Sequence, residues 1–328
     1  MSFKIYNEGA SAIFDASSTV EVIHENDQYP FAHEAGVFIP EENALFITSN
    51  QFPDPTTGQK TIQISKVQLS PDGKFIGCEE VNAPDVIMAN GGVNYNGGVL
   101  FCSQGSLTTP GGLVFMQPIA PYRCAAIVTS FYGRDFNSLN DVVVHSDGSI
   151  WFTDPIYGYE QGIRPAPQLR NQVYRYDPKD ESIRVVADGF GRPNGISFSP
   201  DEKVVYITDT DWIHGDGTTD DTRARTIYAF DLSTISGEPF LTNKRVFAMA
   251  DTGIPDGIKM DTKGNVYSGC GDGVNVWSPG GVLLGKILIS GGVANFCFGR
   301  NGELFMLNEH KIWRAQLASG VKGALLGI

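Results

Sequence analysis

Six positions of this 328-residue chain fall at one register, and five of them carry a side-chain oxygen. Counting back eleven residues from an aromatic side chain, or twelve where the intervening turn is one residue longer, lands on Glu34, Asn90, Asn140, Asn194, Asp256 and Ala294. The aromatics are Phe46, Phe101, Trp151, Tyr206, Tyr267 and Phe305. A lone Asn ahead of a strand is ordinarily a turn or cap residue. Acceptors at the same register of several copies ask for another account. Glu34, Asn140, Asn194 and Asp256 together offer two carboxylates and two amide carbonyls, an all-oxygen set. Hard divalent cations favour such a set, calcium first because it accepts mixed oxygens and retains water, with magnesium, manganese or zinc behind it. No His or Cys stands at the register, which counts against a dedicated zinc site. Asn90 reads as a further ligand, a supporting neighbour or a substrate contact, and Ala294 leaves the ring open.

The elements that position these residues are written six times. The clearest copy, NSLNDVVVHSDGSIWFTDPIYG (137–158), runs from a loop with one polar residue through an apolar strand and an Asp-Gly turn to a second strand with a polar end. GRPNGISFSPDEKVVYITDT from Gly191 and GIPDGIKMDTKGNVYSG from Gly253 repeat it, and weaker copies start at Phe31, Ile87 and Gly292. Segments between copies, such as TIQISKVQL, QVYRYDP and TIYAFDL, are strand-like too, so each unit holds about four short antiparallel strands. Repeats of this size build propellers, solenoids or arrays. With no helical stripe lasting three turns, the expected fold is all-β: a six-bladed β-propeller, four antiparallel strands per blade, one domain over 1–328. The sixth unit lacks an outer strand after KIWRAQL, and TVEVIHE (19–25) is expected to supply it and close the ring. Insertions at 155–172 and 210–225 leave units three and four at equivalent points. They are expected on one rim, where loops on a rigid scaffold set specificity.

A composition of 41% hydrophobic and 19% charged residues is that of a globular chain. A net charge of −13 with no basic patch argues against nucleic acid as a partner. No run approaches the length of an apolar membrane span, so no membrane association is expected. The N-terminus lacks the apolar stretch of a secretory signal. The five cysteines, at scattered spacings, read as buried free thiols. These features place the expected protein in the cytoplasm.

Taken together the motifs resemble the SMP-30/gluconolactonase family of six-bladed propeller lactonases, over residues 30–315. HEAGVF at Glu34, NSLNDVVV at Asn140, RPNGISFSPDEKVVYITDT at Asn194 and IPDGIKMDTKGNVY at Asp256 match the family's Glu, Asn, Asn and Asp metal ligands. DGSIWFTDPIYG and TIYAFDL read like the family as well. The resemblance implies a divalent metal at one mouth of the channel and hydrolysis of a lactone or similar ester. A metal there acts as a Lewis acid and lowers the pKa of a bound water, and a carboxylate in reach takes the proton. Asp256 is the first choice for that base, by the resemblance at the PDG aspartate. Asp209, ending the YITD strand, is the second, and Glu34 completes the catalytic set.

His33, Asn90, Ser138, Tyr157, Arg192 and Trp212 are the expected substrate contacts, although packing or second-layer hydrogen bonds explain each of them about as well. One position departs from the family. Sugar-acid lactonases carry an arginine two residues before the Asn140 position, where this chain has Ser138. That turns the expectation from gluconolactone towards a less polar or aromatic lactone, in keeping with Trp212, Tyr157 and Phe52. The leading reading is a metal-dependent lactone or ester hydrolase with a small-molecule substrate. Behind it stand organophosphate-type hydrolysis, C–C bond hydrolysis or a non-hydrolytic biosynthetic step at the same metal site, and then a non-enzymatic binding propeller. An intact ligand set with one open position argues against the last. Oligomeric state is left open by the sequence.

Overall fold

Tight turns fold the chain back on itself throughout. Asn96 and Gly97 take φ of 47° and 74°, and Asn301 and Gly302 take 53° and 84°, the left-handed pair that two-residue hairpins require. The computed structural model describes residues 2–328. It holds six antiparallel sheets built on four consecutive strands or their equivalent. Blade one runs Glu34–Ile39, Ala44–Thr48, Ile64–Leu69 and Phe75–Val81, and the inner strands of the next five begin at Ala89, Val142, Pro193, Ile258 and Asn295. Each inner strand packs on the next, and Asn295–Phe298 returns to Glu34–Ile39. That is a closed six-bladed β-propeller.

The outer strand of blade six is Thr19–Glu25, paired with Lys311–Gln316 from Thr19 opposite Gln316 to Glu25 opposite Lys311. The two ends of the chain are therefore woven into one sheet, as the missing strand of the sixth copy requires. Phe3–Ile5 adds a fifth strand outside blade five, opposite Gly285 to Ile287, which the repeats do not announce. No helix among the described residues is long and apolar enough to cross a membrane. All five cysteines are free; Cys102, Cys270 and Cys297 are buried, but Cys124 is half-buried and Cys78 exposed. Those two lie on outer strands, where one sheet face meets water.

The apolar core is six separate clusters, one at each blade-to-blade interface. Phe46 of blade one packs with Val99 and Val114 of blade two, and Trp151 of blade three with Ile196 and Phe198 of blade four. Tyr206, Tyr267 and Phe305 fill the next three interfaces. Because both faces of the inner two strands are covered, these strands are buried at nearly every residue rather than alternately. Phe101 breaks the pattern. It faces back onto blade one, and Leu100 and Cys102 pack towards blade three instead. The second copy is thus one residue out of phase with the others. A register shift between Phe101 and Ser103 absorbs the difference.

Hydroxyls in the second strands fix the inner loops across blade boundaries. Thr48 donates to the Asn90 carbonyl at 3.1 Å, Thr153 to that of Asn194 at 2.6 Å, and Thr208 to that of Asp256 at 3.1 Å. In blades two and five, where Ser103 donates to the Ile87 carbonyl instead and Gly269 has no hydroxyl, the backbone takes over: the Gly91 N–H donates to the Asn140 carbonyl at 2.8 Å and the Gly257 N–H to that of Ala294 at 2.9 Å. Glycine is required there, because a Cβ on Gly91 would meet the Asn140 oxygen at 2.4 Å and one on Gly257 the Asn295 Oδ1 at 2.3 Å. Each of these five loops is held by the blade before it.

Two outcomes follow from this bracing. Thr208 is fully buried and also accepts from the Gly195 N–H at 2.7 Å, so Thr208→Val strands a donor and an acceptor. Urea unfolding should register a loss of about 2–4 kcal/mol, and Thr208→Ser should recover most of it. A chain lacking residues 1–26 should unfold at a clearly lower urea concentration than the full chain, because the edge of Lys311–Gln316 is then unpaired. Equal midpoints would show that ring closure does not depend on the N-terminal strand.

Candidate functional site

The loops braced in this way converge. His33, Glu34, Asn90, Asn140, Asn194 and Asp256 line one cavity of about 320 Å³ at one mouth of the channel. Glu34 is 3% exposed, and its Oε2 accepts from the Asn295 amide at 2.7 Å. Burial pushes its carboxyl up, against the pull of His33 and of that hydrogen bond. Burial pushes Asp256 far above the usual carboxylate range, and the nearby Glu34 charge adds to the effect. Two acidic groups out of water and close together are costly unless positive charge comes between them.

The remaining donors point the same way. Asn140 Oδ1 and Asp256 Oδ1 are buried and have no hydrogen-bond partner. An amide oxygen and a carboxylate oxygen left unpaired in one cavity are what an oxygen-preferring cation would satisfy. Among the described residues no three His, Cys, Asp or Glu form a metal cluster, since two of the four donors here are amides. Glu34, Asn140, Asn194 and Asp256 fit a divalent cation by donor type, burial and unmet valence.

His33 carries the positive charge that the site does possess. Its Nδ1 lies 2.7 Å from Glu309 Oε1, and Asn50 donates to the other oxygen at 3.2 Å. Burial alone would lower the His33 pKa, but Glu309, with Glu34 and Asp256 beyond it, lifts it to about 9. Beside the floor, Asn90 offers a side chain with no hydrogen bond among the described residues, its carbonyl being the one held by Thr48.

The wall comes from the two insertions, which meet each other. Tyr157 lines the cavity, and its hydroxyl lies 2.6 Å from Thr210 Oγ1 and 3.1 Å from the Ile213 carbonyl. Glu160 Oε2 accepts from the Gly215 N–H at 2.8 Å. Arg192 binds Glu160 through Nε at 3.0 Å and also pairs with Asp211. Its charge is spent on tying the insertions together, and it does not line the cavity.

Three other expected residues are also placed elsewhere. Ser138 is buried, donating to the Pro155 carbonyl at 2.6 Å and accepting from the Gly158 N–H at 2.8 Å. Trp212 lies on the outer side of its loop, with Nε1 on Asp221 at 2.8 Å. Asp209 accepts from the Gly191 and Arg192 N–H groups at 3.0 and 2.8 Å, and Asp154 does the same for Asn137 and Ser138 at 3.0 and 2.8 Å. Both aspartates therefore clamp the loop that carries an asparagine of the register. Proton transfer by Asp209 has no geometric basis here.

Several residues of the site are silent in the repeat. Asn295, which holds Glu34, directly follows Ala294, the one empty position, and is in that sense legible. Glu309 and Asn50 sit at the ends of second strands that the register does not count. Asp141, 1% exposed, lies 3.7 Å from the Lys259 amine beneath the cavity. Arg164 is buried in the first insertion and donates to the carbonyls of Asn137, Ser106, Thr109 and Phe136 at 2.6–3.0 Å. It binds three loops into one wall.

Comparison with known proteins agrees with this geometry. A lactonohydrolase of Aspergillus oryzae, oryL, is 30% identical over 98% of this chain and 75% of its own. The gluconolactonase of Zymomonas mobilis is 29% identical over 93% of this chain and 83% of its own. The solved structure of a gluconolactonase from Xanthomonas campestris superposes with a TM-score of 0.75 at 25% identity, over 97% of this chain and 95% of that one. Residues 54–309 match the model of the SMP-30/gluconolactonase/LRE-like region. With the propeller and its braced register, this chain belongs to the SMP-30/gluconolactonase/LRE-like family.

Proposed function

We propose that the protein hydrolyses a lactone, a small cyclic ester, at this cavity with the help of a divalent cation, calcium by the chemistry of its donors. The observation that carries the reading is the meeting of a buried carboxylate, Glu34, and a half-buried one, Asp256, in one cavity where two buried oxygens, Asn140 Oδ1 and Asp256 Oδ1, lack partners. The lactonohydrolase and gluconolactonase named among the relatives support the substrate class.

Glu34, Asn140, Asn194 and Asp256 would hold the cation. When bound, it supplies Lewis acidity at the cavity floor, where a carbonyl is polarised and water acidified. The chain's own part is proton handling and placement. Asp256 accepts the proton of the attacking water at its carboxylate. Water oxygen bonds to the carbonyl carbon, the ring C–O bond breaks, and the same proton returns to the departing alkoxide, giving a hydroxy acid. His33, held cationic against Glu309, donates a hydrogen bond from its remaining N–H to a substrate oxygen. Asn90 and Tyr157 bound the ring on either side.

Asp256→Asn should cut kcat/KM on a small lactone by about 100-fold or more, and Glu34→Gln should do likewise. Both replacements also remove a like charge from the buried pair. In EDTA the variants should therefore melt no lower than EDTA-treated wild type. Variants that keep full turnover while melting earlier would make the carboxylates purely structural. EDTA-treated wild type should lose turnover and regain it with one added cation, and turnover indifferent to EDTA would remove the metal from the account.

A further inference from the structure

One residue past the register the chain writes a second ring: Ala35, Gly91, Asp141, Gly195, Gly257 and Asn295. Its three glycines are pressed against neighbouring loops. A Cβ on Gly195 would meet the Asp256 carbonyl oxygen at 2.5 Å, and Gly91 and Gly257 are confined in the same way. The polar side chains of this ring are those of Asn295 and Asp141. Asn295 holds Glu34. Asp141 has no part in the proposed reaction, yet it lies directly beneath the ligands.

The Asp141 carboxylate reaches the strands that follow three of those ligands. It comes directly after Asn140 in blade three, and its Oδ1 accepts from the Val142 N–H of its own strand at 2.9 Å. Its Oδ2 accepts at 3.3 Å from the N–H of Ile196, two residues beyond Asn194 in blade four. The same oxygen lies 3.7 Å from the amine of Lys259, three residues beyond Asp256 in blade five. On the side of blade two, Gly91 closes over the carboxylate, since a Cβ there would meet Asp141 Oδ1 at 2.9 Å. Lys259 also lines a cavity of about 290 Å³ further along the inner strands, among Val37, Val142 and Ile196. A carboxylate as deeply buried as Asp141 is costly unless it is both paired and hydrogen-bonded. This one is both, and its partners come from separate blades.

We infer that Asp141 is a positioning residue for the proposed cation site: backed by the Lys259 amine, it sets the spacing of Asn140 and Asn194 so that both amide oxygens serve one ion. The inference rests on the cation reading of the cavity and assigns the residues that keep its ligands in place. Groups that orient the ligands of a metal carry much of its affinity. Without the bridge from Asp141 to Ile196, an amide oxygen is free to swing off the ion, and water takes its place.

Asp141→Ala combined with Lys259→Met removes the bridge and leaves the net charge beneath the site unchanged, so charge alone predicts no loss of affinity. Calorimetry on the EDTA-stripped double variant should nevertheless show calcium binding about 10- to 100-fold weaker than in wild type. Europium(III) in place of calcium gives a second reading, because its emission lifetimes in light and heavy water count the waters on the ion. The double variant should hold at least one bound water more than wild type. Asp141→Asn, which keeps one acceptor oxygen, should fall between the two, and it carries the same readings if the double variant does not fold. In EDTA, Lys259→Met alone strands a buried carboxylate and should melt below the double variant. Melting no lower would overturn the part given to Lys259. Wild-type affinity, or an unchanged water count, in the folded variants would overturn the inference and leave the cation reading standing. If wild type takes up neither ion, the cation reading falls and the inference with it.

Discussion

Glu34 and Asp256 are two carboxylates drawn into one cavity; burial makes both harder to ionise, and the Glu34 charge adds to the effect at Asp256. A fold that placed them there without compensation would lose several kcal/mol. The surroundings make sense as the means of holding that arrangement. Asn295 bonds Glu34, and His33 brings in positive charge that Glu309 keeps in place. What stays unmet is a pair of oxygens, on Asn140 and Asp256, facing the same space. The site is complete in its supports and incomplete in its charge.

Such a cluster has to be rigid, and the rigidity comes from the blade interfaces. No loop of the register is held only by its own sheet. Threonine hydroxyls or glycine N–H groups of the preceding blade grip the loop carbonyls, and Asp154 and Asp209 clamp the backbone just upstream. Closure of the ring by Thr19–Glu25 makes those grips mutually dependent. Ordered loops with buried backbone bonds are what hold a constellation to the tolerance that catalysis needs.

The fold was legible because a propeller repeats. The register of Glu34, Asn140, Asn194 and Asp256 could be counted in the chain, and so could the missing outer strand of blade six. The second copy misled by one residue, because a bulge after Phe101 shifts facing without disturbing Asn90. The rim was far less legible. Arg192, Ser138 and Trp212 have residue types suited to a pocket, but the structure spends them on holding the insertions together. Insertions occur once each, so no second copy shows which of their side chains point inward. Glu309 and Arg164 were hidden for another reason: their partners lie 276 and up to 58 residues away.

On the proposed function, Glu34, Asn140, Asn194 and Asp256 share one cation. Calorimetric titration of Ca²⁺ into EDTA-stripped, dialysed protein tests it most directly, with Asn140→Leu titrated alongside. One ion should bind per wild-type chain, with an affinity at least about tenfold weaker in the variant, which loses one oxygen donor at the cavity. No saturable binding of any divalent cation by the folded wild type, or equal binding by both proteins, would contradict it.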